Sequence, residues 1–135
     1  MPTAALHHMI VPVSDRDAAV AWFVDLLELR EAWENGFFSS VQLDDSIVLN
    51  FAAAPVEPMH LAFLIGEEHF DRVKARFDAD GTPYTADPPG RRPGEVGAVN
   101  PDGGGRRVYF RGPSGHLLKV LAERYTDVPA GSRSR

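Results

Sequence analysis

The chain has 135 residues, a length that corresponds to one domain or to two small half-domains that share a core. Hydrophobic residues make up 44% of the chain and charged residues 24%, which excludes wholesale disorder. The net charge of -5 argues against a nucleic-acid partner, and the lack of cysteine excludes disulfides and thiol nucleophiles. No apolar run approaches the length of a membrane span, and no basic segment precedes the first apolar stretch. We therefore expect a cytoplasmic protein that has a small-molecule partner and makes no contact with membranes.

The first half of the chain predicts a strand, a helix and a hairpin, in that order. Residues 6–13 form a short run rich in β-branched side chains, which predicts a strand. Ser14 is the predicted N-cap of an amphipathic helix that continues to about Leu29. The apolar runs 37–43 and 47–52 are separated by a short polar turn, and this pattern predicts a hairpin.

The second half of the chain predicts the same order of elements. A helix is predicted over residues 67–80, with Gly81 as the residue that ends it. Residues 87–105 contain four prolines and six glycines, and we expect them to be irregular. The predicted strands of this half are 60–65, 82–85, 107–111 and 117–121.

The two halves look like copies of one plan. His60 follows His8 on the first strand by 52 residues, and Lys119 follows Asn50 near the end of the last strand by 69 residues. The second copy thus has about seventeen extra residues, close to the length of segment 87–105. Loops this long are usually functional lids or disordered, so we predict a mobile lid at the border of a cleft shared by the two halves.

Two histidines and one arginine–tyrosine pair are the candidates for a site in this cleft. Alternate residues of a strand face one side, so His8 and His60 can both point into the cleft. Two imidazoles are a start for a zinc, iron, nickel or manganese site, although both histidines can equally be hydrogen-bonded strand residues. Arg106 and Arg107 alternate, so only one of them can face the cleft and bind an anionic substrate, and Tyr109 shares the face of Arg107.

Three motifs resemble the vicinal oxygen chelate superfamily, which includes glyoxalase I, extradiol dioxygenases and bleomycin-resistance proteins. They are LHHMIVPVSDRDAAVAWF, PMHLAFLIGEEHFDRV and GGGRRVYFRGPSGHLLKVL, and the resemblance spans residues 6–125. It implies an α+β fold of paired βαβββ modules that form a half-barrel cleft, the glyoxalase/bleomycin resistance/dihydroxybiphenyl dioxygenase fold. We accordingly expect one domain over 1–125, with modules at about 4–56 and 57–125, a flexible tail over 126–135, and a homodimer.

The resemblance also assigns roles to individual residues. His8 and His60 match the two histidine metal ligands of the family, whereas the usual glutamate of the third ligand is replaced by Lys119. Asn50 lies near the place where glyoxalase I supplies a further glutamate. Loss of a carboxylate and gain of a cation weaken a divalent site, so no cofactor is assigned and a zinc, nickel, manganese or iron ion is doubtful.

Three functions remain open at this stage. The first is a protein that binds a small organic ligand with a degenerate metal site, the second a metal-dependent lyase, isomerase or dioxygenase that uses His8 and His60, and the third a metal-free enzyme that uses Lys119. Glu95, in the long loop, is the candidate carboxylate that pairs with Lys119. His116 can bind the ligand or tie down the last hairpin. The candidate catalytic residues are Lys119 and Glu95, and the candidate ligand-binding residues are Asn50, Arg107, Tyr109 and His116.

Overall fold

The chain divides into two compact units, residues 1–58 and 59–135. A computed structural model describes residues 4–44, 46–87, 90–98 and 105–122. Neither helix in these ranges is long and apolar enough to cross a membrane. The predicted domain limit at residue 125 and the tail over 126–135 lie outside the described residues and stay predictions.

The first unit is one βαβββ module. Its elements are β1 (His8–Val13), α1 (Arg16–Leu27), β2 (Trp33–Asn35), β3 (Phe38–Gln42) and β4 (Val48–Ala53). The strands form a sheet of order β1-β4-β3-β2, in which β1 and β4 are parallel and the other neighbours are antiparallel. The first and last strands of the module are therefore neighbours.

The second unit repeats this arrangement. Its elements are β5 (His60–Leu64), α2 (Glu67–Asp80), β6 (Gly97–Ala98), β7 (Arg106–Arg111) and β8 (Leu117–Leu121), with one 3₁₀ turn (Pro113–Gly115) between β7 and β8. The sheet order is β5-β8-β7-β6, and β5 and β8 are again the parallel pair. Two βαβββ modules confirm the predicted α+β fold and the predicted duplication.

Each helix packs against one face of the sheet in its own unit. In the first unit, Phe23 of α1 contacts Phe51 of β4, with 4.9 Å between ring centroids. In the second, Phe77 of α2 contacts Phe110 of β7 at 4.8 Å. Because side chains alternate along a strand, every second residue lies on the opposite face, which we call the helix-free face of that sheet.

Several element boundaries differ from the expectations. The N-cap of α1 is Asp15, not Ser14, since the Asp15 carboxylate accepts a hydrogen bond from the N–H of Ala18 at 3.1 Å. Strand β2 was not predicted, because its three exposed residues contain no alternation of apolar and polar side chains. Residues 82–85 form no strand, and Thr85 contributes two isolated bridges, one to Pro93 and one to Tyr109.

The proline- and glycine-rich segment contains more structure than its composition indicates. Gly97 and Ala98 form β6 along β7, so the prediction that all of 87–105 is irregular was wrong. Asp87 accepts hydrogen bonds from the backbone N–H groups of Arg91 and Arg92, at 2.9 and 3.2 Å. These bonds connect Asp87 to two residues of the described part that follows it in the segment. Residues 88–89 and 99–104 lie outside the described part, and the mobility of the segment stays a prediction.

Candidate functional site

The strand register shows which residues of the two units are equivalent. In the first unit Ile10 of β1 pairs with Asn50 of β4, and in the second Ala62 of β5 pairs with Lys119 of β8. His8 lies two residues before Ile10 on β1, and His60 lies two residues before Ala62 on β5. Asn50 and Lys119 are thus equivalent, as their spacing predicted. Each lies on the helix-free face of its sheet, together with the histidine of its own unit.

Lys119 is a buried cation on the helix-free face of the second sheet. Its side chain is 7% exposed, and its Nζ lies 5.2 Å from the centroid of the Tyr109 ring. A cation over the face of an aromatic ring is attracted by the ring quadrupole, which partly replaces the water that burial removes. Tyr109 pairs directly with Lys119 across β7 and β8, so the sheet register fixes this contact.

His60 extends this cluster toward the exposed edge of the sheet. Its ring stacks on Tyr109 with 6.0 Å between centroids and 22° between planes. Its Nδ1–H donates to the carbonyl oxygen of Leu117 at 3.1 Å, which leaves Nε2 as the acceptor of the neutral ring. Along β5, His60, Ala62 and Leu64 are exposed, so the cluster is accessible from this side. We call the helix-free face around His60, Tyr109 and Lys119 the lysine face.

The equivalent position in the first unit also presents a hydrogen-bond donor. The Ser40 hydroxyl donates to Asn50 Oδ1 at 2.6 Å, and Asn35 Nδ2–H donates to the Ser40 oxygen at 3.1 Å. This chain fixes the orientation of the buried Asn50 amide and turns its Nδ2 donor away from Ser40. Neither of the two equivalent positions therefore has a carboxylate.

The described residues do not fit the two-histidine, one-carboxylate metal site that the resemblance implies. His8 Nδ1 lies 2.9 Å from His7 Nδ1, and His60 Nδ1 is bonded to a backbone carbonyl, so each ring has one nitrogen left for another partner. The third position is the ammonium group of Lys119, which cannot coordinate a metal while it is protonated. Within the described ranges no three histidine, aspartate or glutamate side chains come together in an arrangement that could hold a metal ion.

Arg106 and Arg107 lie on opposite faces of the second sheet, as their alternation predicted. Arg106 faces α2, where its Nη2 donates to Glu67 Oε1 at 2.6 Å and its Nη1 to Asp71 Oδ1 at 2.9 Å. Burial disfavours the charged form, but the hydrogen bonds and charges of Asp71 and Glu67 outweigh it and raise the pKa of Arg106. The guanidinium also lies 4.5 Å from the Phe70 ring centroid. Arg106 is thus a helix anchor, and Arg107 lies on the lysine face.

Two further sequence candidates lie away from this cluster. Glu95 is exposed and pairs with Arg92 at 3.1 Å, so the expected pairing with Lys119 is not formed. His116 is fully buried, and its Nδ1 accepts a hydrogen bond from the N–H of Met59 at 2.9 Å. This bond gives His116 a structural role at the start of the last strand. A ligand-binding role for His116 stays a prediction.

A cavity that the sequence did not predict opens beside Tyr109. Its volume is about 310 Å³. The residues that line it include Tyr84, Thr85, Pro93, Tyr109 and Leu117. Backbone hydrogen bonds between Thr85 and Tyr109, at 2.9 and 3.0 Å, hold this wall against β7. The only sign of this cavity in the sequence was the cluster of prolines and glycines after Tyr84. That cluster lies beside β7 because Thr85 pairs with Tyr109, more than twenty residues later in the chain.

Comparisons with known proteins extend over nearly the whole chain. Residues 5–120 match the family model of the Glyoxalase/Bleomycin resistance protein/Dioxygenase superfamily. The structure of oxidase ChaP-H1 has a TM-score of 0.81 and 40% identity and covers 92% of this chain and 99% of its own. Oxidase ChaP-H2 has a TM-score of 0.83 and 37% identity, with coverages of 93% and 98%.

A more distant structure shows the same fold. TnmS3, an antibiotic binding protein from Streptomyces sp. CB03234, has a TM-score of 0.62 and 17% identity, with coverages of 92% and 99%. The search of curated proteins found no match.

Proposed function

The chain belongs to the glyoxalase/bleomycin resistance/dioxygenase superfamily, and we propose that it binds a small aromatic ligand on the lysine face without a divalent metal. The observation that supports this proposal best is Lys119, a buried ammonium at the position where the family has a carboxylate ligand. At an effective dielectric constant of 20, an ammonium 4 Å from a dication is repelled by about 8 kcal/mol. The same group attracts ligand oxygens and donates hydrogen bonds to them.

The neighbours of Lys119 favour an aromatic ligand. The exposed His60 ring stacks on the buried Tyr109 ring, and a planar ligand ring can pack on such a pair in an offset arrangement. The cavity beside Tyr109, at about 310 Å³, shares Tyr109 with the lysine face, but His60 and Lys119 do not line it, so it can receive only a part of the ligand that extends past Tyr109. The stacked pair and the ammonium group therefore suit a small aromatic ligand with at least one oxygen near Lys119.

Binding of 2-naphthol, followed by fluorescence and by chemical shifts of the Tyr109 and His60 rings, tests the proposal. Lys119→Met removes the ammonium but keeps an unbranched side chain, so we expect the affinity to fall about tenfold. The other lysine of the chain, Lys74, lies on α2, and Lys74→Met is the matched control that should leave the affinity unchanged. A missing saturable signal, or equal effects of both variants, would contradict the proposal.

A metal titration separates this proposal from the metal-dependent alternative. We expect the wild-type protein to bind no stoichiometric zinc, nickel or manganese, because Lys119 opposes the ion. Lys119→Glu should gain affinity for these ions by restoring the two-histidine, one-carboxylate set. Tight binding of a metal by the unmodified protein through His8 and His60 would favour the metal-dependent enzyme instead.

A second candidate function is the oxidation of the bound ligand. It is supported by identities of 40% and 37% with two oxidases over nearly the full length of all three chains. In such a reaction Lys119 is the group placed to hold or move a proton at its Nζ. Consumption of dioxygen that depends on the ligand, measured with an oxygen electrode, would support this function.

The homodimer expected from the resemblance stays a prediction, which sedimentation velocity can test.

A further inference from the structure

Arg107 is a half-buried arginine on the lysine face, two residues before Tyr109 on the same strand. Its Nε is buried and has no hydrogen-bond partner. Within the described ranges no hydrogen bond or ion pair reaches its side chain, whereas neighbouring Arg106 pairs with two carboxylates of α2. A buried, unsatisfied donor of a charged group costs about 1–3 kcal/mol or more, and because Nε is enclosed, only the terminal Nη1 and Nη2 groups of Arg107 are open to a partner.

The position of Arg107 depends on the absence of a side chain at Gly97. Gly97 is the residue of β6 that pairs with Arg107, and a Cβ atom there would lie 3.2 Å from both Cγ and Nε of Arg107. It would also lie 3.1 Å from the carbonyl oxygen of Ala86. Since Gly97 is not among the glycines with positive φ, space and not backbone conformation explains the glycine. The Arg107 side chain is thus packed across β6 in a defined orientation.

We propose that Arg107 binds a carboxylate group of the ligand, so that the ligand is an aromatic carboxylic acid. This proposal rests on the proposed function, because it assigns the chemical class of the ligand on the lysine face. The two terminal nitrogens of a guanidinium pair with a planar carboxylate through two parallel hydrogen bonds, and a side chain that is already held by packing loses little freedom on binding. The ligand carboxylate also supplies the negative charge that Arg107 lacks among the described residues.

The strand spacing sets the size of such a ligand. Residues i and i+2 of a strand lie about 7 Å apart on one face. A ring near Tyr109 therefore places a substituent one fused ring away near Arg107, which fits a bicyclic carboxylate such as 2-naphthoate. Arg111 lies on the same face at the other side of Tyr109, but it is exposed and its Nη1 donates to the carbonyl oxygen of Gly115 at 3.1 Å. Because Arg111 also lines the cavity beside Tyr109, the control for the removal of a positive charge is Lys74 of α2.

Calorimetric titration with 2-naphthoate and 2-naphthol tests the proposal. We expect wild-type protein to bind 2-naphthoate about tenfold or more tightly than 2-naphthol, the ratio that one charge-assisted hydrogen-bonded pair supplies. Arg107→Gln should abolish this preference. Gly97→Ala should reduce the preference although every charge is retained, because the new methyl group displaces the guanidinium. Lys74→Gln should keep the preference.

The possible outcomes distinguish this inference from the proposed function. Equal affinities of wild-type protein for the two probes, or a preference that persists in Arg107→Gln, overturn the role of Arg107 while 2-naphthol binding still supports the lysine face. Failure of both probes to bind overturns both proposals. Circular dichroism of each variant shows whether it is folded, and Arg107→Gln keeps the test decisive if Gly97→Ala disturbs β6.

Discussion

Replacement of His116 by alanine is expected to destabilise the second unit and to leave the ligand affinity of the folded protein unchanged. His116 is fully buried directly before β8, and its Nδ1 accepts the N–H of Met59 at 2.9 Å. Beside it, the N–H of Leu117 donates to the carbonyl oxygen of Met59, also at 2.9 Å. Together these two bonds hold the starts of the parallel strands β5 and β8 next to each other.

The size of the effect follows from two losses. Without the imidazole, the N–H of Met59 has no acceptor in this place, which costs about 1–3 kcal/mol. The void left by a fully buried ring adds roughly 1–2 kcal/mol, in line with other large-to-small substitutions of buried side chains. We therefore expect a total of about 3 kcal/mol, a large share of the roughly 5–15 kcal/mol that stabilises a typical domain. His116→Gln offers an amide oxygen to Met59 and should lose about half as much.

Urea denaturation followed by circular dichroism measures this loss, and titration with 2-naphthol in the absence of urea measures the affinity. The two measurements separate the structural role of His116 from the ligand-binding role that the sequence allowed. A loss of less than about 1 kcal/mol would refute the reasoning from burial. A weaker affinity in a variant of unchanged stability would show that His116 contacts the ligand.

Two further predictions concern the ends of helices. Asp15→Ala removes the N-cap of α1 and should cost about 1 kcal/mol in urea denaturation, whereas Asp15→Ser should retain most of the stability; equal losses would argue against the cap. Hydrogen bonds from Lys74 and Tyr84 lower the pKa of Asp78 below its ordinary value of 3.8. Its stabilising effect is therefore fully present above that value and is lost as the pH falls through the lowered pKa. Thermal melts across this range should show a shallower acid limb for Asp78→Asn, and an unchanged limb would contradict the assignment.

The fold could be predicted from local patterns because both modules use strong ones. A short run rich in β-branched side chains predicted the strand that contains His8, and Gly81, with φ of 79°, ends α2 as its position indicated. The spacing of Asn50 and Lys119 predicted their equivalence, since parallel pairing of the first and last strands keeps one register in both units. Local sequence and tertiary structure agree at these positions.

The details of the site depend on contacts that sequence spacing does not reveal. Glu95 pairs with Arg92, three residues earlier, because a short-range partner is available without any movement of the loop toward Lys119. The place of Arg107 depends on Gly97, ten residues away in a segment whose composition indicated only irregularity. The stacking of His60 on Tyr109 likewise requires the order of three strands, which the alternation of single strands does not specify.

The parallel pairing of first and last strands also has a consequence for how the two modules fold. His8 and Val48 are 40 residues apart in the chain, whereas their counterparts His60 and Leu117 are 57 residues apart. Closure entropy grows only with the logarithm of loop length, so the longer second loop costs about 0.3 kcal/mol more. Lengthening of the segment before β7 therefore has almost no thermodynamic penalty, and we expect both sheets to form when residues are inserted there. We expect the second module to fold more slowly than the first, because its paired first and last strands are farther apart in the chain.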